Sequence, residues 1–222
     1  MTPGERLANI QSRIRRAEIE SGRVEGSVAL TAVSKTVTAD RLQAMLVAGQ
    51  RRFGENRVQE AREKWPALRT TYPDLILHLI GPLQSNKVAD AVELFDVIEV
   101  VDRDKIAGAL AREMKMQDRY PRLYVQVNIG EEEQKTGVQP CDALNFVRRC
   151  RDIHGLDITG LMCIPPHGAD PSPYFAALRE ISQGVGVEEL SVGMSEDFER
   201  AISFGSTKVR VGSALFGVRS SG

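Results

Sequence analysis

The sequence predicts an α/β protein, a single (β/α)8 barrel (TIM barrel) with one extra helix at its N-terminus, forming one domain over residues 1–222, and three observations lead there. Short apolar, partly β-branched runs alternate with helical patterns, and this strand-then-helix unit recurs about eight times. The length of 222 residues lies near the compact end of the barrel class, where roughly 200 residues suffice. The competing doubly wound sheet needs a glycine-rich fingerprint after its first strand. Here the first apolar run is followed by Ser34-Lys35-Thr36, with neither G-x-G-x-x-G nor G-x-x-x-x-G-K.

Leu7, Ile10, Ile14 and Ala17 fall on one helical stripe that ends near Ser21-Gly22, giving the extra helix. Residues 28–33 form the first strand, and Thr38 opens a helix that carries Leu42, Met45 and Leu46 and stops at Gly49. Residues 51–53 lead into a helix with Val58, Ala61, Trp65 and Leu68 on one face, which assigns Trp65 to core packing. Residues 75–80 lead into a helical segment at 84–92. Residues 95–101 precede a helix capped by Asp102 with Ile106, Leu110 and Met114 inward. Strands at 123–129 and 158–163 precede helices at 142–150 and 173–181. A strand at 190–192 precedes a helix at 198–202, and one at 208–211 precedes a short turn at 214–216.

Composition narrows the function. Hydrophobic residues at 42% and charged ones at 27% are ordinary globular values. The 29 basic and 30 acidic residues leave a net charge of −1, so no overall field draws the chain to nucleic acid or an anionic membrane. The opening Met1-Thr2-Pro3-Gly4-Glu5-Arg6 lacks a signal-peptide pattern, and no run of about 18 apolar residues occurs, so a cytoplasmic protein is expected. Cys141, Cys150 and Cys163 show no C-x-x-C spacing and read as reduced thiols, Cys163 as a small buried residue. His154 and His167 have no partner at ligand spacing. Glu131-Glu132-Glu133 reads as an exposed loop, and Arg148, Arg149 and Arg151 as a solvated face, so no metal site is expected.

In such a barrel the active face lies at the carboxyl ends of the strands, and phosphate is most often held after strands seven and eight. Lys35 ends the first strand with the parity of Val33. It either faces a ligand as an amine nucleophile toward an aldehyde or lies past the strand in solvent. Gly193-Met194-Ser195 and Gly212-Ser213 each place backbone N–H groups and a hydroxyl before a helix, at the phosphate positions. For Ser195 alone, a plain N-cap competes, supported by Glu196 and Asp197 in the first turn. Arg210 shares parity with Gly212 and points inward, where it needs a carboxylate or a ligand atom. Together these residues form a cradle for a phosphorylated aldehyde, with pyridoxal 5'-phosphate the candidate.

Six segments carry a resemblance: Ala32-Val33-Ser34-Lys35-Thr36, Phe53-Gly54-Glu55-Asn56-Arg57-Val58-Gln59-Glu60, His78-Leu79-Ile80-Gly81-Pro82-Leu83-Gln84-Ser85-Asn86-Lys87, Gly160-Leu161-Met162, Ser191-Val192-Gly193-Met194-Ser195-Glu196-Asp197 and Val209-Arg210-Val211-Gly212-Ser213-Ala214-Leu215-Phe216-Gly217. In order and nearly from end to end, they make the chain similar to the pyridoxal phosphate homeostasis proteins. The resemblance implies a barrel like the N-terminal domain of alanine racemase. It implies that Lys35 forms a Schiff base with pyridoxal 5'-phosphate, and that Ser195, Gly212 and Ser213, with Met194 beside them, contact the phosphate. It further implies that Arg210 faces the pyridine nitrogen, that Asn56 lies beside the ring and that His78 lies below the pocket. Family members usually carry a serine before the lysine of the loop after strand five; here Gln134 precedes Lys135.

The resemblance also implies a non-catalytic protein that moderates free cofactor and the balance of amino and keto acids. Racemases of this barrel type use a second acid/base from an added domain, and the sequence ends at Gly222, just after its eighth strand. An arginine at the pyridine nitrogen weakens the ring as an electron sink. The expected partners are the cofactor and pyridoxal phosphate-dependent apoenzymes, with no nucleic acid or membrane, and the expected state is a monomer. The alternatives are a minimal amino-acid racemase and a Schiff-base aldolase.

Overall fold

The computed structural model describes residues 1–217. The end of the sequence at Gly222 lies outside the described residues. Eight parallel strands pair in sequence order and close into a barrel, with β8 (Lys208–Val211) hydrogen-bonded to β1 (Ala29–Val33). Between them lie β2 (Arg52–Glu55), β3 (Ile76–Leu79), β4 (Val97–Val101), β5 (Arg122–Val127), β6 (Ile158–Cys163) and β7 (Glu189–Ser191). The predicted (β/α)8 architecture is therefore the observed one.

The extra helix α1 (Pro3–Glu20) starts with a capping box, in which Thr2 accepts from the Glu5 amide and Glu5 accepts from the Thr2 amide. Its predicted stripe of Leu7, Ile10, Ile14 and Ala17 is buried. Glu18 on the same helix is also fully buried, and its carboxylate accepts from the Val28 amide (2.6 Å) and the Gly26 amide (2.9 Å). That carboxylate fixes the entry into β1, which begins at Ala29, one residue later than the apolar run suggests.

The outer ring comprises α2 (Ala39–Val47), α3 (Val58–Thr71), α4 (Val88–Leu94), α5 (Asp104–Gln117), α6 (Ala143–Asp152), α7 (Ser172–Val185), α8 (Phe198–Ser203) and α9 (Ser213–Phe216). Three sequence expectations need correction. Arg103, not Asp102, precedes α5 at the cap position, because the Asp102 carboxylate accepts from Arg103 (2.5 Å). Segment 84–92 divides into a 3-10 turn at Ser85–Lys87 and α4. Arg151 does not belong to a solvated face: its guanidinium donates to the carbonyls of Val185 (2.8 Å) and Ile158 (3.2 Å), tying α6 to α7 and β6.

The hydrophobic core lies between strands and helices, filled by outward-facing residues such as Phe53, Leu77, Ile98, Val125, Leu161 and Val209. Trp65 belongs to it, stacked on Phe53 at 4.9 Å between centroids. The barrel interior is different. Barrels of this class usually fill it with layers of branched apolar residues, but here Thr31, His78, Glu99, Tyr124, Ser191, Lys208 and Arg210 are buried there, alternating with the outward positions. Gly160 makes room for this content, since a Cβ on it would stand 2.6 Å from the Glu189 carbonyl and 3.0 Å from the Tyr124 ring.

Of the three thiols, Cys141 is exposed, whereas Cys150 and Cys163 are buried. Burial pushes the pKa of each buried thiol up to about 12. At pH 8 both therefore stay protonated in the folded protein, and iodoacetamide should label Cys141 alone until denaturant is added. Mass spectrometry of the native protein checks this; native labelling of Cys163 at the rate of Cys141 would contradict the burial.

Candidate functional site

The rim at the carboxyl ends of the strands gathers the predicted residues. Strand β1 ends at Val33, so Lys35 lies in the turn beyond it, half-buried, rather than within the strand. The turn is built from both sides. The Ser34 amide donates to the Gly54 carbonyl (2.9 Å), the Ser34 hydroxyl to Glu55 (2.8 Å), and the Thr36 amide to Glu60 (2.6 Å). Thr36 adopts a left-handed φ of 61°, a conformation disfavoured for a β-branched residue, and the Glu60 contact holds it there.

Lys64 joins these supports. Its ammonium reaches the Ser34 carbonyl (3.0 Å), Glu60 (2.6 Å) and Glu55 (3.0 Å). Glu55 also accepts from the Trp65 indole (3.0 Å), so the core tryptophan has a polar task as well. Burial raises the Glu55 pKa, with Lys64 acting against it. For Glu60, burial also pushes upward, but the Lys64 and Thr36 hydrogen bonds win and leave the pKa lowered. None of Glu55, Glu60 or Lys64 was predicted as a site residue; the i, i+4 spacing of Glu60 and Lys64 on α3 is the signal that could have found the pair.

Asn56 follows β2 in a half-buried bend. A Cβ on Gly81 would stand 2.4 Å from the Asn56 carbonyl oxygen, so glycine is what lets the ends of β2 and β3 touch. On the opposite side, the Gly212 amide donates to the Ser195 hydroxyl (3.4 Å), which joins the loops after β7 and β8. Ser195 is not the cap of α8. Asp197 precedes that helix, and its carboxylate accepts from the Met194 amide (2.6 Å), folding residues 194–197 into a closed turn. Met194 is 41% exposed, and Ser213 is exposed at the start of α9.

Arg210 stands beneath this rim, inside the barrel as expected. Its guanidinium donates to the Ser191 carbonyl (2.6 Å), the Ser191 hydroxyl (2.7 Å) and the Cys163 carbonyl (2.8 Å). The Ser191 hydroxyl in turn donates to Glu99 (2.5 Å), whose other oxygen meets His78 Nδ1 at 2.6 Å. Arg210 and Glu99 are 3.9 Å apart. Burial alone would raise the Glu99 pKa, but the His78 hydrogen bond and the His78 and Arg210 charges overcome it and hold it below the usual carboxylate range. Glu99 is absent from the predicted site residues, although it is the one charged residue in the otherwise apolar strand Val97–Val101.

The loop after β5 is ordered by its own side chains. Asn128 donates to the Glu132 carbonyl (2.8 Å) and accepts from the Glu132 amide (3.2 Å), Gln134 donates to Glu132 (3.0 Å), and Lys135 reaches the Pro165 carbonyl (3.3 Å). Gln134 thus takes part in holding the loop. Among the described residues, no group of three or more His, Cys, Asp or Glu could hold a metal ion, and no helix is long and apolar enough to cross a membrane.

The family described as alanine racemase, N-terminal domain, matches residues 6–220. A pyridoxal phosphate homeostasis protein of Pseudomonas aeruginosa is 40% identical, covering 100% of this chain and 97% of its own length. One from Pasteurella multocida is 36% identical over 99% and 98%. The solved structure of PipY from Synechococcus elongatus with PLP bound is 38% identical with a TM-score of 0.82, covering 97% of this chain and 100% of that one. An alanine racemase of Clostridium difficile shares the fold with a TM-score of 0.72 at 15% identity, and the match spans 58% of that chain.

Glu99→Gln would leave Arg210 buried opposite a neutral group, and a destabilisation of about 3 kcal/mol at neutral pH is expected. Because the folded pKa of Glu99 lies below its unfolded value, its contribution is present at neutral pH and is lost as the pH falls through the lowered value. The gap in urea stability between parent and variant should therefore narrow on acidification below about pH 4. A gap of equal size at pH 7 and in acid would contradict this assignment.

Proposed function

The chain belongs to the alanine racemase N-terminal domain family, and from that premise we propose that it binds pyridoxal 5'-phosphate at the carboxyl rim of its barrel and serves cofactor homeostasis without catalytic turnover. The full-length likeness to a protein solved with PLP bound carries this reading. The rim residues fit the group. Lys35 offers an amine at the end of β1, two loops joined by the Ser195–Gly212 hydrogen bond offer hydroxyls and backbone N–H groups, and Arg210 fills the space below.

Bound pyridoxal phosphate supplies an electrophilic aldehyde and an electron-withdrawing ring. The chain's own residues then divide the work. Lys35 would hold the cofactor's aldehyde group through its amine, in a turn that Glu55, Glu60 and Lys64 keep in place. Ser195, Gly212 and Ser213 would hold the phosphate, with Met194 beside them. Asn56 lies beside the ring, and His78 lies below it, bonded to Glu99.

Arg210 would stand at the pyridine nitrogen as a hydrogen-bond donor that keeps its own proton, leaving that nitrogen unprotonated. Its charge is already fixed by Glu99, Ser191 and the Cys163 carbonyl, so it cannot act as the acid that a strong electron sink requires. The rim therefore holds the cofactor without activating it for carbanion chemistry. We read the protein as one domain and a cytoplasmic monomer whose partners are the cofactor and the apoenzymes that receive it.

Loading the purified protein with pyridoxal phosphate should give a visible absorption band, and borohydride should trap the cofactor on the peptide that contains Lys35; Lys35→Ala should lose both. The Ser195→Ala/Ser213→Ala protein should keep its circular dichroism and melting temperature while its cofactor affinity falls at least about tenfold, as expected for two lost hydrogen bonds to a charged group. Unchanged affinity in the double variant would overturn the phosphate assignment, and alanine racemisation well above the rate of free cofactor would overturn the non-catalytic reading.

A further inference from the structure

Lys35 stands between a seated residue and a strained one. Ser34 is fully buried, with its amide on the Gly54 carbonyl (2.9 Å) and its hydroxyl on Glu55 (2.8 Å). Thr36 is exposed, and its φ of 61° brings a branched Cβ close to its own backbone. With that side chain in solvent, the conformation has to be held through the backbone. The Val37 amide closes the turn on the Ser34 carbonyl (3.0 Å), which leaves the Thr36 amide to find its own acceptor.

Two charged residues one helical turn apart on α3 supply the hold. Glu60 accepts from the Thr36 amide at 2.6 Å. Lys64 fixes that carboxylate (2.6 Å) and also donates to the carbonyls of Ser34 (3.0 Å) and Val37 (3.5 Å), so it reaches both ends of the turn. A carboxylate bonded to a backbone amide is a stronger clamp than a neutral acceptor, and Lys64 sets its position in advance.

Covalent capture of an aldehyde is sensitive to such a clamp. The neutral amine adds to the aldehyde carbon, a C=N bond replaces C=O, and the oxygen leaves as water with the two amine hydrogens. The phosphate end is held across the barrel by the loops after β7 and β8, which the Ser195–Gly212 bond joins. Lys35 must therefore meet a carbon whose place is already set, where a displacement of about 1 Å can cost a hundredfold.

Building on the reading of Lys35 as the aldehyde-binding residue, we propose that Glu60, held by Lys64, is a positioning residue for covalent capture. It fixes the left-handed turn at Thr36 and so sets how readily Lys35 bonds the cofactor, while adding nothing to the grip on the phosphate. Covalent and non-covalent holds on the cofactor are thus separable in this protein.

Glu60→Ala is the variant to make, since removing Lys64 would leave the buried Glu55 carboxylate without its cation. Two values are measured on the full chain. The first is the pyridoxal phosphate concentration at which borohydride fixes the cofactor to half of the chains, read by mass spectrometry. The second is the Kd of 4'-deoxypyridoxine 5'-phosphate, which keeps the ring and phosphate but has no aldehyde, read by calorimetry. In Glu60→Ala the first should rise at least about tenfold while the second stays at the parent value. Thr36→Gly added to Glu60→Ala should recover most of that loss, because glycine adopts a left-handed φ without a clamp and the lost side chain is an exposed one. Trapping in Glu60→Ala equal to the parent, a parallel loss of analogue affinity, or no recovery with Thr36→Gly would each overturn the positioning role and leave the cofactor site standing. A parent chain that neither traps the cofactor nor binds the analogue would overturn the site itself, and this role with it.

Discussion

A carboxylate and a guanidinium buried together inside the barrel set the terms for the rest of this structure. Glu99 on β4 and Arg210 on β8 face each other across the axis at 3.9 Å, bridged by Ser191 and completed by His78. Neither charge tolerates burial alone. Four strands must therefore keep their register for the network to close, and the cost of a slip is an uncompensated charge in the interior. The familiar apolar filling of such barrels would give stability without this demand. Here the interior also determines which charge stands beneath the functional rim, and in which orientation.

The rim depends on a second, smaller device. Lys35 sits in a turn closed by the Val37 amide on the Ser34 carbonyl (3.0 Å), with Thr36 in a left-handed conformation. Glu60 and Lys64 on α3, and Glu55 at the end of β2, fix that turn through hydrogen bonds to its backbone and to the Ser34 hydroxyl. The same carboxylate of Glu55 takes the Trp65 indole. The position of the lysine is thus tied to the packing of α3 against the barrel, which sets its amine on a rigid support without burying it.

The barrel was legible in the sequence because strand and helix periods differ and alternate cleanly, so even the short run at Glu189–Ser191 falls at the right place. The rim was legible too, since polar, glycine and proline residues end the apolar runs. What escaped was side-chain choice among local partners. Asp102 reads as a cap, yet an adjacent arginine claims its carboxylate; the cap that competed with a phosphate contact for Ser195 is ruled out because Asp197 occupies that place. Glu99 and Ser191 escaped for another reason: their partners lie on strands far apart in sequence, and only closure of the barrel brings them together.

On the proposed reading, an arginine and not an acid stands at the pyridine nitrogen of a bound cofactor, so that the protein holds pyridoxal phosphate in an unactivated state. The ¹⁵N chemical shift of the ring nitrogen, measured by NMR on the protein loaded with ring-¹⁵N-labelled pyridoxal phosphate, tests it most directly. The shift of an unprotonated pyridine nitrogen is expected at neutral pH. The shift of a protonated pyridinium would contradict it.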